Sequence, residues 1–442
     1  MRTLGWLSAI FVGLLPAPAL ASSALSSVVP MVARDLGPLP RPGALAGARP
    51  NVLVVSSVLV TDVPAPRGEE LSVRIASLLA GRLGPTARAY PQAAALSIAR
   101  AAAAKVGVLV YAEVEVARGS LRVTLDAYPA VYNAWDRVRE PAPPARAHAF
   151  GSAPIDAEVR SFLTPISLEQ ARVHKASHDM GDVIAASCGD VDGDGGMDLV
   201  LVSRAAVAWG HIEKGAFAPA YAAPWPSLAV RVPVPMREPL ATAAIEPFAA
   251  GGGLFVGTTD RGGVALSPDL RASSALAGLP LFFAEGLLCL TPSPGAGGFE
   301  APAFACGGAY HGADLDTGIP RYDAVAIARI VARDGKSRDV VAARAPDGKV
   351  SVRSGDASVT VEGSGGEIAV GDLDLDGVPE VITTLDGADD ALSVSSWGDE
   401  GLRTRLHLPA PAGVRAIAVC PPEEGGLPAL VAVVGAEVWV VR

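Results

Sequence analysis

Three segments of this chain repeat one layout: an apolar strand, a turn, a second apolar strand, then a strand carrying tryptophan. They are VIAASCGDVDGDGGMDLVLVSRAAVAWGH from 183, EIAVGDLDLDGVPEVITTLDGADDALSVSSWGD from 367 and AIAVCPPEEGGLPALVAVVGAEVWVV from 416, with Trp209, Trp397 and Trp439 at corresponding places. Weaker copies start at 241, 286 and 324. A unit of about 40–57 residues built from short strands cannot bury its apolar face alone, so the copies must stack against one another. That repeat length is the one found in four-stranded β-propeller blades. Six copies are counted, and the last runs out of chain at Arg442 before a fourth strand. Residues 169–176 (EQARVHKA), just ahead of the first copy, would supply that strand and close the ring, removing an exposed sheet edge. The expectation is a mainly β protein: a six-bladed β-propeller, with seven blades the alternative, over residues 164–442.

Composition supports tight turns rather than long helices, with 48 Gly and 37 Pro in 442 residues. Mean hydropathy is +0.35 with only 5% aromatics, so small aliphatics must fill any core, and wholesale disorder is excluded. Residues 1–21 read as a signal peptide: Arg2, an apolar run from Leu4 to Leu15, and the small-x-small box Ala19-Leu20-Ala21. The competing reading, a membrane anchor, fails on length, because the run breaks at Pro16 and a span needs about 20 residues. The expected location is therefore periplasmic or secreted, with no membrane span after cleavage. Residues 22–48, rich in Ala, Pro and Gly without a period, read as a flexible leader. Residues 22–160 carry a net charge of +4 and residues 161–442 a net of −15. An acidic body with no basic stripe argues against nucleic acid.

Residues 49–163 read as a small α/β domain. NVLVVSSVLV (51–60) is a β-branched central strand, GEELSVRIASLLAGRL (68–83) a helix, and PQAAALSIARAAAAKVG a second helix opening at Pro91. VGVLVYAEVEV and LRVTLDAYPAV form a hairpin across Ala-Arg-Gly-Ser, followed by AHAFGSA and a short helix in PIDAEVRSFL. With Trp135-Asp136-Arg137 after the hairpin, this order resembles the amino-terminal α/β domain of the periplasmic propeller proteins of the Tol envelope system.

Two stretches carry chemistry. Asp190-Val-Asp192-Gly-Asp194-Gly195-Gly196-Met-Asp198 and Asp372-Leu-Asp374-Leu-Asp376-Gly377-Val378-Pro-Glu380 each place carboxylates at positions 1, 3, 5 and 9 with Gly at 6. Oxygen ligands suit a hard cation such as Ca²⁺, alternate spacing lets side chains of a curled loop converge, and the glycine permits the turn. The seventh residues, Gly196 and Val378, would offer backbone carbonyls, and the ninth a bidentate carboxylate. An EF-hand is disfavoured, because the last acid stands at position 9 and a strand follows. The bland alternative is two Asp/Gly turns without metal, in which crowded carboxylates repel.

These loops and their flanking strands resemble the FG-GAP/VCBS repeat family, which includes the calcium-binding propeller of integrin α-subunit heads. The resemblance covers about 180–442 and implies Ca²⁺ in the hairpin between the first two strands of a blade. Asp334, Gly335 and Asp339 keep only part of the pattern, so that blade should be metal-free.

Four cysteines allow three pairings or four buried thiols. Cys289 and Cys306 flank a Pro/Gly-rich loop, and Cys188 and Cys420 would meet at the ring closure. His174 and His178, and His311 with Asp314 and Asp316, are weaker metal candidates, outweighed by surface and turn readings. No nucleophile elbow, P-loop or dinucleotide fingerprint is present.

The expected function is a non-catalytic binding or scaffold protein of the cell envelope, contacting a protein or glycan. The alternatives are a propeller enzyme of lyase, hydrolase or dehydrogenase type, and a lectin-like glycan binder. Channel-facing titratable residues would favour the enzyme, whereas the six expected inner strands (VIAASC, ATAAIE, GLLCL, AVAIA, EIAVG, AIAVC) are nearly all small and apolar.

Overall fold

The computed structural model describes residues 23–39, 51–104, 106–129, 138–139, 142–231, 239–246, 252–284, 287–291, 303–306, 315–385, 387, 389–422 and 427–442. The signal peptide, Trp135-Asp136-Arg137, His311 and Asp314 lie outside these residues.

Six antiparallel blades follow one another along the described chain: the middle four are separate four-stranded sheets with their strands in sequence order, while the first and last join into one eight-stranded sheet where Ala216–Pro224 lies parallel beside Val173–Ser177. Their first strands are Val183–Gly189, Ala241–Glu246, Pro280–Ala284, Ala324–Val331, Ile368–Gly371 and Val414–Cys420. Each first strand neighbours the next, and the sixth returns to the first, so they line a closed ring. The molecule is a six-bladed β-propeller. Val173–Ser177 pairs antiparallel with Glu437–Val441 and completes the sixth blade. The ring is thus closed by a strand from ahead of the first blade, about where residues 169–176 were expected to supply it. The third blade corrects the sequence reading. GLLCL is the second strand of that blade (Leu287–Leu290), and the inner strand is Pro280–Ala284. Proline is tolerated at the first residue of a strand, so the sequence cue there was weak.

A disulfide joins Cys188 to Cys420 across the closure, with Cα atoms 5.2 Å apart, well within bridging distance. Cys289 is also disulfide-bonded, and register sets it opposite Cys306 on the neighbouring strand.

The three repeat tryptophans lie on third strands and pack between blades. Trp209 is 2% exposed, joins side chains of the second blade, and donates from Nε1 to the Pro268 carbonyl at 2.5 Å. Trp439 belongs to one core cluster with Ile382, Leu392 and Val394 of the fifth blade, and Trp397 packs against the cluster that holds Ile330 and Val340 of the fourth. Removing a buried side chain of this size costs about 3–5 kcal/mol, which applies to Trp209 and Trp439, whereas Trp397 is half-buried.

The α/β domain has a mixed sheet in the order β3-β1-β4-β5-β6, with β2 also on β4. These are β1 (Val52–Ser56), β2 (Val60–Thr61), β3 (Ala87–Ala89), β4 (Val108–Ala117), β5 (Ser120–Pro129) and β6 (Ala147–Pro154). The expected strand over 51–60 is therefore two pieces, and AHAFGSA is an edge strand. Helix α2 spans Gly68–Leu83 as its 3–4 periodicity required, while α3 covers only Leu96–Ala103.

The flexible-leader reading of 22–48 is wrong for its first part. Helix α1 (Ala24–Asp35) is capped by the Ser23 side chain and buries Leu25, Val28, Val29 and Val32 in the domain core. That 3–4 spacing was present in the sequence, but Pro30 inside the helix and the small-residue surroundings concealed it. A short helix, α4 (Ala157–Arg160), ends the domain, with Phe162 and Leu163 still in its core.

Candidate metal centre

Both acid loops connect the first and second strands of their blades, the first and the fifth. In each, the first acid accepts two backbone N–H groups of its own loop. Asp190 accepts from Gly193 at 2.6 Å and Gly195 at 3.2 Å; Asp372 accepts from Asp376 and Gly377, both at 2.9 Å. The fifth acid accepts from the seventh amide, Asp194 from Gly196 at 2.6 Å and Asp376 from Val378 at 2.7 Å. The ninth acid opens the second strand and accepts from the second amide, Asp198 from Val191 at 2.7 Å and Glu380 from Leu373 at 2.8 Å. Gly195 and Gly377 have φ of 82° and 79°, the left-handed turn that only glycine adopts without strain. The fourth position is left-handed too, as Gly193 in one loop and Leu375 in the other. Two distant stretches thus fold into one conformation.

The acids that converge differ between the loops. In the first, oxygens of Asp190, Asp192 and Asp194 lie within 4.8 Å of one another. Asp198 stands apart from that set, fully buried, with Oδ1 at 3.1 Å from His211 Nδ1. In the second, Asp372, Asp374 and Glu380 converge within the same distance. Asp376 turns outward, where its Oδ2 accepts from Arg333 at 3.0 Å. Equivalent sequence positions therefore divide their acids differently, which identical spacing could not reveal. The third strand explains part of this: opposite Glu380 stands Ser396, which donates to Glu380 Oε1 at 2.8 Å, whereas Asp198 meets the bulkier His211.

The second loop is buried and short of counter-charge. Asp374 is 4% exposed at its side chain, and its Oδ1 is buried without a hydrogen-bond partner. Burial, reinforced by neighbouring acids, pushes Asp372 up to about 7, Asp374 to about 6 and Glu380 to about 9. Arg405 is the cation that reaches in, with Nη1 at 3.4 Å from Asp374 Oδ2. A hard, all-oxygen donor set with an unpartnered buried carboxylate oxygen suits a divalent cation of the calcium type. In the first loop, burial also raises Asp198.

Asp339, the remnant acid of the fourth blade, is held by Arg329 at 2.7 and 2.9 Å. His174 lies on the closing strand with its side chain exposed, and His178 contacts the Gly435 carbonyl at 3.2 Å. They form no helical pair.

A further concavity is the central channel, about 790 Å³. Its walls are mostly Ala, Val and Ile, in line with the expected inner strands. One mouth adds Asp323, paired with Arg344 at 2.5 Å, and Glu367. Burial pushes Glu367 up to about 8, with Arg344 opposing and Asp323 and Asp390 adding to the rise. Glu367 is the first residue of the expected inner strand EIAVG and stands just before the strand Ile368–Gly371; its place was legible in the sequence, its burial was not.

No family model matches the chain, and no curated protein matches it. Among solved structures, TolB from Acinetobacter baumannii is similar over 92% of this chain and 96% of its own, at 11% identity and a TM-score of 0.30. U3-55K aligns over 63% of this chain and all of its own, at 14% identity and a TM-score of 0.39. A putative glucose dehydrogenase from Thermus thermophilus aligns over 62% of this chain and all of its own, at 13% identity and a TM-score of 0.37. The propeller assignment rests on the order and closure of the sheets described above. No helix among the described residues is long and apolar enough to cross a membrane.

Proposed function

We propose that the chain is an exported, calcium-stabilised propeller of the FG-GAP/VCBS type, acting as a non-catalytic binding or scaffold protein of the cell envelope. The observation that carries the calcium reading is the buried, partnerless Asp374 Oδ1 among Asp372, Asp374 and Glu380. The first site would use Asp190, Asp192 and Asp194, with the Gly196 carbonyl and Asp198 behind them. The second would use Asp372, Asp374, Glu380 and the Val378 carbonyl. Bound calcium would neutralise the acids and fix the hairpin on which each blade turns, a structural role. The contact with a protein or glycan would then fall to an end face of the ring or to the basic α/β domain, which exposes Val58, Val60 and Phe150. The use of Trp209, Trp397 and Trp439 between blades weighs against a lectin reading.

The test is thermal unfolding in 1 mM Ca²⁺ and in chelator, for wild type and for Asp192→Ala and Asp374→Ala. A site with a Kd near 10 μM adds about 2.7 kcal/mol under these conditions. The expected result is a calcium-dependent rise in Tm that each variant reduces. Identical curves with and without calcium would overturn the reading.

A second reading, ligand capture or chemistry at the channel mouth, is favoured by Glu367, an acid held protonated near neutrality beside an apolar channel. It requires small molecules that protect the wild type against unfolding but not Glu367→Gln; equal protection of both would remove it.

A further inference from the structure

The two acid loops differ in what lies over them. Asp192 and Asp194 of the first are exposed to solvent. The second is roofed by the α/β domain and by the segment that joins the two domains. A Cβ placed on Gly377 would lie 3.3 Å from the Ala157 Cβ of α4 and 3.0 Å from the Arg333 amide. A Cβ on Gly335, in the adjoining loop of the fourth blade, would lie 3.0 Å from Glu158 Oε2 and 3.2 Å from Ser23 Oγ, the cap of α1. Both helix ends therefore sit directly on these two propeller loops.

Charged groups tie the roof to the loop. Arg405, on the outer strand of the fifth blade, bridges Asp374 of the loop and Glu169 of the 3-10 turn Leu168–Gln170 in the connecting segment. Arg405 Nη1 also donates to Ser396 Oγ at 3.2 Å, and Ser396 holds Glu380. Arg160, the last residue of α4, donates from Nη2 to the Thr164 carbonyl at 2.9 Å, while its Nε is buried with no hydrogen-bond partner. Asp374 is the carboxylate whose field it feels. On the outer side, Arg333 donates to the Asp376 carbonyl at 2.7 Å and Arg338 to the Gly377 carbonyl at 3.0 Å. The curl of the loop thus sets where Gly377 meets Ala157.

We propose that the 372–380 loop is an interdomain cation site, in which Glu169 and Arg405 position the acids and the bound cation holds the α/β domain docked on the propeller. The proposal rests on the calcium reading above and adds a role for one of the two sites. Without a cation, Arg405 is the one close positive group among these acids, and the curl is held less firmly. Opening of the curl displaces Gly377 from Ala157 and the outer carbonyls from Arg333 and Arg338. With the cation in place the curl is fixed and the roof has its seat. Because coupling between a binding equilibrium and a docking equilibrium is reciprocal, weakening the dock must weaken the ion by the same factor.

The test uses the full mature chain. Hydrogen exchange of the amides in Ala157–Arg160 and Ala24–Asp35 is followed in 1 mM Ca²⁺ and in chelator, for wild type, Asp192→Ala and Asp374→Ala. Calcium titration calorimetry is run on wild type and on Gly335→Asn, a substitution remote from the acids that wedges against Ser23 and Glu158; asparagine tolerates the left-handed turn there. Calcium should slow exchange at both helices in wild type and Asp192→Ala but not in Asp374→Ala. Gly335→Asn should weaken one of two calcium ions by about 5- to 150-fold, the usual range of site coupling, and leave the other unchanged. Two ions bound with no change in exchange, or with both affinities untouched by Gly335→Asn, would overturn the interdomain role while leaving the calcium reading intact. No ion bound would overturn both.

Discussion

Asp372, Asp374, Glu380 and Glu367 share one electrostatic condition: burial lifts each above the ordinary carboxylate range, to about 7, 6, 9 and 8. The unfolded chain releases these protons near pH 4, whereas the folded protein keeps them to higher pH. Between those values the native state binds more protons, so stability falls as pH rises. In chelator, Tm is expected to drop steadily from pH 5 to pH 9. Calcium should flatten the part due to the loop acids, because a cation favours their ionised form. Glu367→Gln should remove a separate part that calcium does not touch. A chelator curve that is flat or rises over this interval would contradict the burial of these groups. The acids and their spacing were legible in the sequence; their division was not. Part of that division follows the residue that the ninth acid meets on the third strand, Ser396 in one blade and His211 in the other.

At the scale of elements, the ring is closed twice, by the strand Val173–Ser177 on Glu437–Val441 and by the Cys188–Cys420 bond. The bond spans 232 residues of sequence, and loss of such a crosslink typically costs about 2–5 kcal/mol. The Cys188→Ser/Cys420→Ser double variant is expected to unfold at lower denaturant with its circular dichroism preserved, since the closing strand still holds the ring. Loss of the native spectrum in buffer would show that the strand alone is insufficient. The blades were readable because alternating strands and Gly/Asp turns impose a local period on the chain. Helix α1 was not, because Pro30 and the small-residue surroundings masked the 3–4 spacing of Leu25, Val28, Val29 and Val32, whose burial shows only in its packing on β5 and β6. The inner strand of the third blade was missed for a related reason. PLFFA and GLLCL are both apolar enough to be inner strands, and only their order in the sheet separates them.

At the scale of the molecule, the two domains meet where the second acid loop is, so the proposed ion would serve the blade and the domain seam together. The first loop faces solvent on its own blade and would serve the blade alone. Fold and candidate acids were therefore visible in the sequence, while the inequality of the two sites arose only from the packing of one domain on the other. The central claim, that both loops hold calcium, is tested most directly by counting ions. Native mass spectrometry of the protein in millimolar calcium should show two per molecule. It should show one in either Asp192→Ala or Asp374→Ala, and none in the double variant. A count of zero in the wild type, or an unchanged count in both single variants, would contradict the account.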